Sequence, residues 1–220
     1  DRPRSGNGAG CKGGLDGFIH PIQIPDCYSD LAFGVEADER LLSRYVGVSN
    51  PEMLADIRKR FRLDFSINEL LELKNKLLLE ALSETNLQPV RGVRELILDL
   101  VSHNVLLAVA SSSPKMFVET VLKKLGLQQY FKVVVSGEEL EKSKPAPDIF
   151  IKAASLLNVR PDECVVIEDS APGTEAAEKA GIRCVGYLNP NSGRQDLSKA
   201  SVTTDDMRKL NYEILCSITV

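Results

Sequence analysis

A doubly wound, parallel α/β sheet carrying a small all-helical module is the fold that this 220-residue chain predicts. Three observations lead there. Short apolar runs without polar alternation recur at 105–110, 132–135, 164–167 and 183–187, and such runs belong to strands buried on both faces. Helix-period segments separate them, which makes neighbouring strands parallel. The stretch from residue 36 to about 85 is helical in pattern with no strand-like run, so it stands apart as its own module.

In chain order, the glycine-rich N-terminal stretch 1–17 comes first; its residues 1–14, aperiodic and with little to bury, are expected to form a tail. Gly8, Gly10 and Gly13 spell GxGxxG, but without a strand before and a helix after it, the spelling is a linker rather than a dinucleotide site. The chain starts at Asp1 rather than Met, which marks a processed chain or a fragment, and it shows no apolar signal segment. Asn50-Pro51-Glu52 then reads as a helix start, with a capping side chain, a proline in the first turn and an acid near the positive end. That helix runs through Met53, Leu54 and Ile57 to about Phe61. A longer one spans Ile67 to Leu82, with apolar positions at Leu70, Leu71, Leu77, Leu78 and Leu82. These segments make a helical domain over 18–88.

After Pro89 the α/β pattern fills 89–220. Val93–Val101 is a helix, and the run Val105–Ala110 ends in three serines, Ser111 to Ser113. Ser113-Pro114 opens a helix that stops near Gly126. Lys132–Val135 is a strand, Asp148–Leu157 a helix and Cys164–Ile167 a strand. Pro172–Ala180 is a helix closed by Gly181, and Arg183–Tyr187 is a last strand.

Composition narrows the function. With 27 basic against 31 acidic residues the net charge is −4, which argues against a broad electrostatic grip on nucleic acid or an anionic membrane. No apolar run approaches the ~20 residues of a membrane span, so a soluble chain is expected. The five cysteines, Cys11, Cys27, Cys164, Cys184 and Cys216, form no CxxC pair, and neither a zinc site nor a disulfide scaffold is indicated. Cys164 and Cys184 lie in strand-like runs, where cysteine serves as a small buried hydrophobe. A reducing cytoplasm suits this usage.

In a doubly wound sheet, ligands bind beyond the carboxyl ends of the strands. There the chain places Ser111, then Lys144 in Lys144-Pro145-Ala146-Pro147-Asp148, then Glu168-Asp169-Ser170 with Gly173 opening the next helix. A hydroxyl, an ammonium held by a proline-stiffened turn, and two adjacent carboxylates suited to a hard cation are what a phosphoryl group requires. Singly, each has a plainer use: a helix cap, a solvated lysine, an acidic turn. Their order and spacing argue otherwise, since 33 residues separate Ser111 from Lys144 and 25 separate Lys144 from Asp169, one α/β unit each.

The series VLLAVASSS, SKPAPDIFIKAA and VVIEDSAPGTEAAEKAG resembles motifs two, three and four of the haloacid dehalogenase superfamily. Within it the chain is similar to the β-phosphoglucomutase-like phosphatases, whose Rossmann-like core carries a small helical cap. RYVGVSNPEML and LELKNKLLLEAL resemble that cap, and YLNPNSGRQDLSKA resembles a loop of some members. The resemblance implies a magnesium-dependent phosphatase, or a sugar phosphomutase, acting on a small phosphorylated metabolite such as a sugar phosphate; a monomer is expected, though the sequence leaves the oligomeric state open. It implies that Ser111 and Lys144 bind the transferring phosphoryl group, with Ser112 beside them. Asp169 would be a magnesium ligand and Glu168 would lie in or near the metal shell. In the cap, Lys74 and Asn75 match a Lys-Asn pair that in the mutase branch reaches the substrate or phosphoryl site. Asn50 stands where mutases carry a basic residue, which favours a phosphatase.

The family's first motif, a buried strand ending in Asp-x-Asp-Gly, is matched only in part by Gly14-Leu15-Asp16-Gly17. Asp16 would be the general acid/base and a metal ligand, but Gly14 stands where the nucleophile belongs, and without a carboxylate there no aspartyl-phosphate forms. The apolar strand before it is missing, which predicts a gap at the centre of the sheet. His20-Pro21 stands where the family commonly has Glu-Pro. An altered gene start, a non-catalytic relative that still holds a phosphorylated ligand, and a normal enzyme with a misread N-terminus remain as explanations. A response-regulator receiver also uses acids, a hydroxyl and a lysine, but has no helical insert and carries its acids earlier.

Overall fold

The computed structural model describes residues 17–20, 45, 48–84 and 86–219. Its sheet has six strands in the order β3-β2-β1-β4-β5-β6, all paired in parallel. They are β1 (Gly17–His20), β2 (Leu106–Ser111), β3 (Phe131–Ser136), β4 (Cys164–Glu168), β5 (Arg183–Tyr187) and β6 (Val202–Thr204). The helices of the core are α3 (Val93–Ser102), α4 (Lys115–Lys124), α5 (Asp148–Leu157), α6 (Ala171–Lys179) and α7 (Tyr212–Thr219). Two more, α1 (Asn50–Phe61) and α2 (Ile67–Glu84), make the helical module.

Continuous apolar strands result because each sheet face has its own cover. Leu107 and Val109 of β2, Val165 and Ile167 of β4, and Val185 of β5 pack against Leu96 and Leu100 of α3, Val118 and Leu122 of α4 and Leu215 of α7. The alternate residues Ala108, Ala110, Cys164, Val166 and Cys184 face Phe150, Ala153 and Ala154 of α5 and Ala176 and Ala177 of α6. The alanines let the second layer of helices approach closely. Each large side chain buried this way is worth about 2 kcal/mol relative to exposure. The expected inward cysteines are Cys164 and Cys184, both buried; Cys11 and Cys27 lie outside the described residues.

The expected gap at the sheet's centre is corrected. Gly17–His20 occupies it, pairing on one side with Leu106–Val109 and on the other with Cys164–Val166. Phe18, Ile19 and His20, read as part of the helical domain, therefore belong to the core sheet. The physical reason is simple: a slot between two parallel strands accepts any short extended segment whose backbone completes both ladders.

Two further elements were not predicted. Strand β6 has only three residues, Val-Thr-Thr, too few to show a period. Helix α7 follows a charged stretch and is fixed by tertiary contacts: the Tyr212 N–H donates to Asp99 Oδ2 at 2.7 Å, and its ring stacks on His103 at 4.2 Å between centroids.

In the module, Met53, Leu54, Ile57 and Leu70 form a small core between α1 and α2. Leu78 and Leu82 of α2 pack on Phe117 and Val121 of α4, which seats the module on the core. Ser66 and Glu69 cap α2 reciprocally, the Ser66 N–H donating to Glu69 and the Glu69 N–H to Ser66 Oγ. Asn50 is not the cap that its place before proline suggests. Ser49 holds that position, and Asn50 is the first helical residue, its side chain turned to Lys74. A second tie joins module to core: the Ser143 hydroxyl donates to Glu52 Oε2 at 2.8 Å, and Ser49 donates to the same oxygen. These bonds hold the Glu52 carboxyl below its ordinary range.

Gly92 precedes α3 at φ +92°, and a Cβ there would lie 2.7 Å from the Arg208 backbone nitrogen. Gly92→Ala should therefore cost about 1–3 kcal/mol, read as a lower urea midpoint with an unchanged m-value. A midpoint equal to the parent's would mean that the 207–209 turn does not press on α3.

Candidate active site

The predicted residues converge because three strands end along one edge. Ser111 is the last residue of β2 and Glu168 the last of β4. With β1 between them, these ends are two strand spacings apart, about 10 Å. The loop after β3 carries Lys144 across that edge, and Lys144 Nζ reaches Glu168 Oε2 at 2.9 Å with both side chains almost wholly buried. The ammonium also lies 4.9 Å from the centroid of the Phe150 ring, a cation–π contact that offsets part of its desolvation.

Glu168 is held from its other side as well. The Ser170 hydroxyl and backbone N–H donate to Oε1 at 2.6 and 3.2 Å, while Ser170 Oγ accepts from the Gly173 N–H and caps α6. Gly173 is required by space: a Cβ there would lie 2.0 Å from Glu168 Cδ. The glycine of Glu-Asp-Ser-x-x-Gly thus makes room for the glutamate of the same motif.

Asp169 points elsewhere. The Asn189 amide donates to its Oδ2 at 2.8 Å and the Ser192 hydroxyl at 2.5 Å. Burial, helped by the charge on Glu168, pushes its carboxyl up to about 6. Ser111, buried at the end of β2, accepts the Ser113 N–H at 3.1 Å. That bond orients the hydroxyl and leaves it a proton to give. Ser112 lies beside it, against Gly137, and Ser136 ties the two loops by donating to the Ser113 carbonyl.

In the module, Lys74 Nζ donates to Asn50 Oδ1 at 2.9 Å, both residues being buried. Asn50 Nδ2 and Asn75 Oδ1 are buried without a hydrogen-bond partner. An unpartnered buried amide costs about 1–3 kcal/mol. The Glu52–Ser143 bond places the first turn of α1, with Asn50, next to the Lys144 loop.

Gly14 and Asp16 lie outside the described residues. Their neighbour Gly17 pairs with Leu106 and Cys164, the first residues of β2 and β4. It therefore stands at the amino edge of the sheet, about 16 Å along β2 from Ser111. No strand is expected beside Asp16-Gly17 from the sequence alone; Gly17 begins the central strand.

The Glu168 carboxylate, expected in or near the metal shell, bonds Lys144 and Ser170. Among the described residues no three His, Cys, Asp or Glu side chains gather to enclose a metal ion. The donor set still fits magnesium, which is commonly held through one carboxylate, waters and phosphate oxygens, and a desolvated carboxyl beside another acid is one that a cation would stabilise. Sequence reasoning missed Ser136, Ser170, Asn189, Ser192 and Gln195. Only Ser170 carried a local signal, as a cap before Pro172.

Residues 26–187 match the haloacid dehalogenase-like hydrolase family. The chain is 33% identical over 177 residues to the phosphorylated carbohydrates phosphatase of Thermotoga maritima, spanning 78% of this chain and 80% of that protein. It is 33% identical over 168 residues to the β-phosphoglucomutase of Bacillus subtilis, spanning 71% and 70%. Among solved structures, β-phosphoglucomutase from Clostridium difficile aligns with a TM-score of 0.82 at 26% identity, over 93% of this chain and 97% of that one. No described helix is long and apolar enough to cross a membrane.

Two outcomes follow from the buried charges. Lys144→Met should cost about 3–5 kcal/mol, because it strands Glu168, whereas Lys144→Met combined with Glu168→Leu should regain most of that loss; denaturant unfolding of all three proteins checks it. Asp169 binds its proton more tightly folded than unfolded, so in metal-free buffer the chain should lose stability as pH rises from about 4 through 6. Asp169→Asn should lack that slope and be the more stable protein at pH 7; a parallel slope in thermal melts of the variant would refute the assignment.

Proposed function

The chain belongs to the haloacid dehalogenase-like hydrolase family, and from that premise we propose that it is a magnesium-dependent phosphatase of a small phosphorylated metabolite such as a sugar phosphate. By resemblance to the phosphatases and phosphomutases it matches, it is an enzyme. The observation that carries the proposal is the single sheet edge at which β2 ends in Ser111 and β4 in Glu168, followed by Asp169, with Lys144 brought across it to Glu168.

Each residue has a role suited to its chemistry. The Ser111 hydroxyl, already oriented by the Ser113 N–H, would donate to a phosphoryl oxygen. The Lys144 ammonium has three protons, of which Glu168 takes one; the others would meet phosphoryl oxygens and neutralise their charge. Glu168 acts through Lys144, fixing its position rather than touching substrate. Asp169 would hold magnesium, and when bound that ion would supply positive charge to the phosphoryl oxygens. The unpartnered atoms of Asn50 and Asn75, with Lys74 between them, would take the hydroxyl-bearing remainder of the substrate. Asn50 at the position where mutases carry a basic side chain favours one phosphate over two, hence a phosphatase. Seating of the module on the core would exclude water from the edge.

A second reading has one observation in its favour. Strand β1, Gly-Phe-Ile-His, carries no carboxylate, so the same edge would suit a protein that holds a phosphorylated ligand without cleaving it. Phosphate release from a panel of sugar phosphates, with and without magnesium, separates the two. The phosphatase should release phosphate only with magnesium, and Lys144→Ala or Asp169→Ala should lower the rate about 100-fold or more. No turnover, together with a raised melting temperature in the same sugar phosphates, would replace the enzyme with the binder.

A further inference from the structure

We propose that the loop after β5, from Asn189 to Gln195, is a positioning device for Asp169, in which Asn189 and Ser192 grip one carboxylate oxygen and so set the direction in which the other is presented to a cation. The inference rests on the reading of Asp169 as the cation ligand.

Three hydrogen bonds close a ring around Asp169 Oδ2. The Asn189 amide nitrogen donates toward both Oδ2 and Ser192 Oγ, at 2.8 Å each. The single Ser192 proton goes to Oδ2 at 2.5 Å. Rotating the amide by half a turn would aim its oxygen at the carboxylate, and the Asn191 N–H forbids it by donating to Asn189 Oδ1 at 3.0 Å. Asn189 and Ser192 are 6% and 3% exposed, so water does not compete for these bonds. Donors to a charged oxygen are shorter and stronger than neutral ones.

The ring is also anchored. Gln195 Nε2 donates to the Ser192 carbonyl at 2.9 Å, and its Oε1 accepts the Ala171 N–H at 3.1 Å. Ala171 begins α6 two residues after Asp169, so the loop is fastened to the same turn that carries the carboxylate. Two donors on one oxygen leave the carboxylate no freedom to rotate about its Cβ–Cγ bond. Hydrogen bonds that merely satisfied a desolvated acid would need no such convergence on one oxygen, nor a second anchor. Partners of this kind around a metal ligand commonly alter affinity 10- to 100-fold.

The test is magnesium titration of the full chain by calorimetry, without substrate, on the parent and on Asn189→Ala, Ser192→Ala, Ser192→Thr, Gln195→Leu and Asp169→Asn. Metal-free melting temperatures establish that each variant is folded. Positioning predicts that Asn189→Ala and Ser192→Ala each weaken magnesium binding about 10-fold or more, and that Ser192→Thr, which keeps the hydroxyl, stays near the parent. Gln195→Leu, which does not touch the carboxylate, should weaken it several-fold, and it decides the matter should either alanine variant fail to fold. Affinities within twofold of the parent in the loop variants, while Asp169→Asn loses binding, would overturn the positioning role and leave the cation site standing. Unchanged affinity in Asp169→Asn would overturn both.

Discussion

A lysine and a glutamate that the core would not tolerate singly are held together at the buried carboxyl edge of the sheet. Moving either charge out of water costs several kcal/mol, and only close pairing with every remaining polar atom engaged repays it. The fold meets these conditions with neighbouring parts. Ser170 engages the far oxygen of Glu168, Gly173 leaves the volume that the carboxylate fills, and the Phe150 ring faces the ammonium. Pro145 and Pro147 stiffen the turn that brings Lys144 across. Strand order, loop length and helix start are thereby tied to one contact of 2.9 Å.

From that pair, rigidity extends in both directions. Ser143 precedes Lys144, so fixing the lysine fixes the hydroxyl that meets Glu52, and the helical module is registered to the sheet at the point where its unpartnered amides lie. That link is solvent-exposed and worth little as stability, ~0–1 kcal/mol by the usual measure of exposed pairs. Its value is in placement, while the apolar contact of Leu78 and Leu82 with Phe117 and Val121 supplies the adhesion. On the other side, Asp169 follows Glu168 directly, and its orientation passes to the loop after β5. Two adjacent acids thus differ: one pairs with a lysine inside the protein, and the other is gripped by the loop after β5, its carboxyl raised by burial.

What the sequence disclosed about this arrangement depended on how far apart the interacting residues lie. Val105–Ala110 and Cys164–Ile167 declare themselves as buried strands because burial on both faces removes polar alternation, and helix Asp148–Leu157 shows its bounds through the prolines before it and Asn158 after it. Ser111, Lys144 and Asp169 are legible because strand ends are where a parallel sheet gathers its chemistry. The Lys144–Glu168 pair is not legible, since side chains 24 positions apart carry no local mark of contact. Asn189 and Ser192 read as ordinary turn residues for the same reason. Asn50 misleads in the opposite way: its place before Pro51 has the local form of a cap, yet the tertiary bond to Lys74 wins.

The central strand shows why structural and catalytic completeness come apart. A slot between β2 and β4 demands an extended backbone that donates and accepts on both sides. Gly17–His20 meets that demand in parallel register. Nothing in the demand specifies a carboxylate, because a nucleophile contributes to the reaction and not to the ladder. A sheet can therefore keep its order and its buried ion pair whatever residues flank its central strand. The geometry of the edge is set by β2, β4 and the loops after β3 and β5.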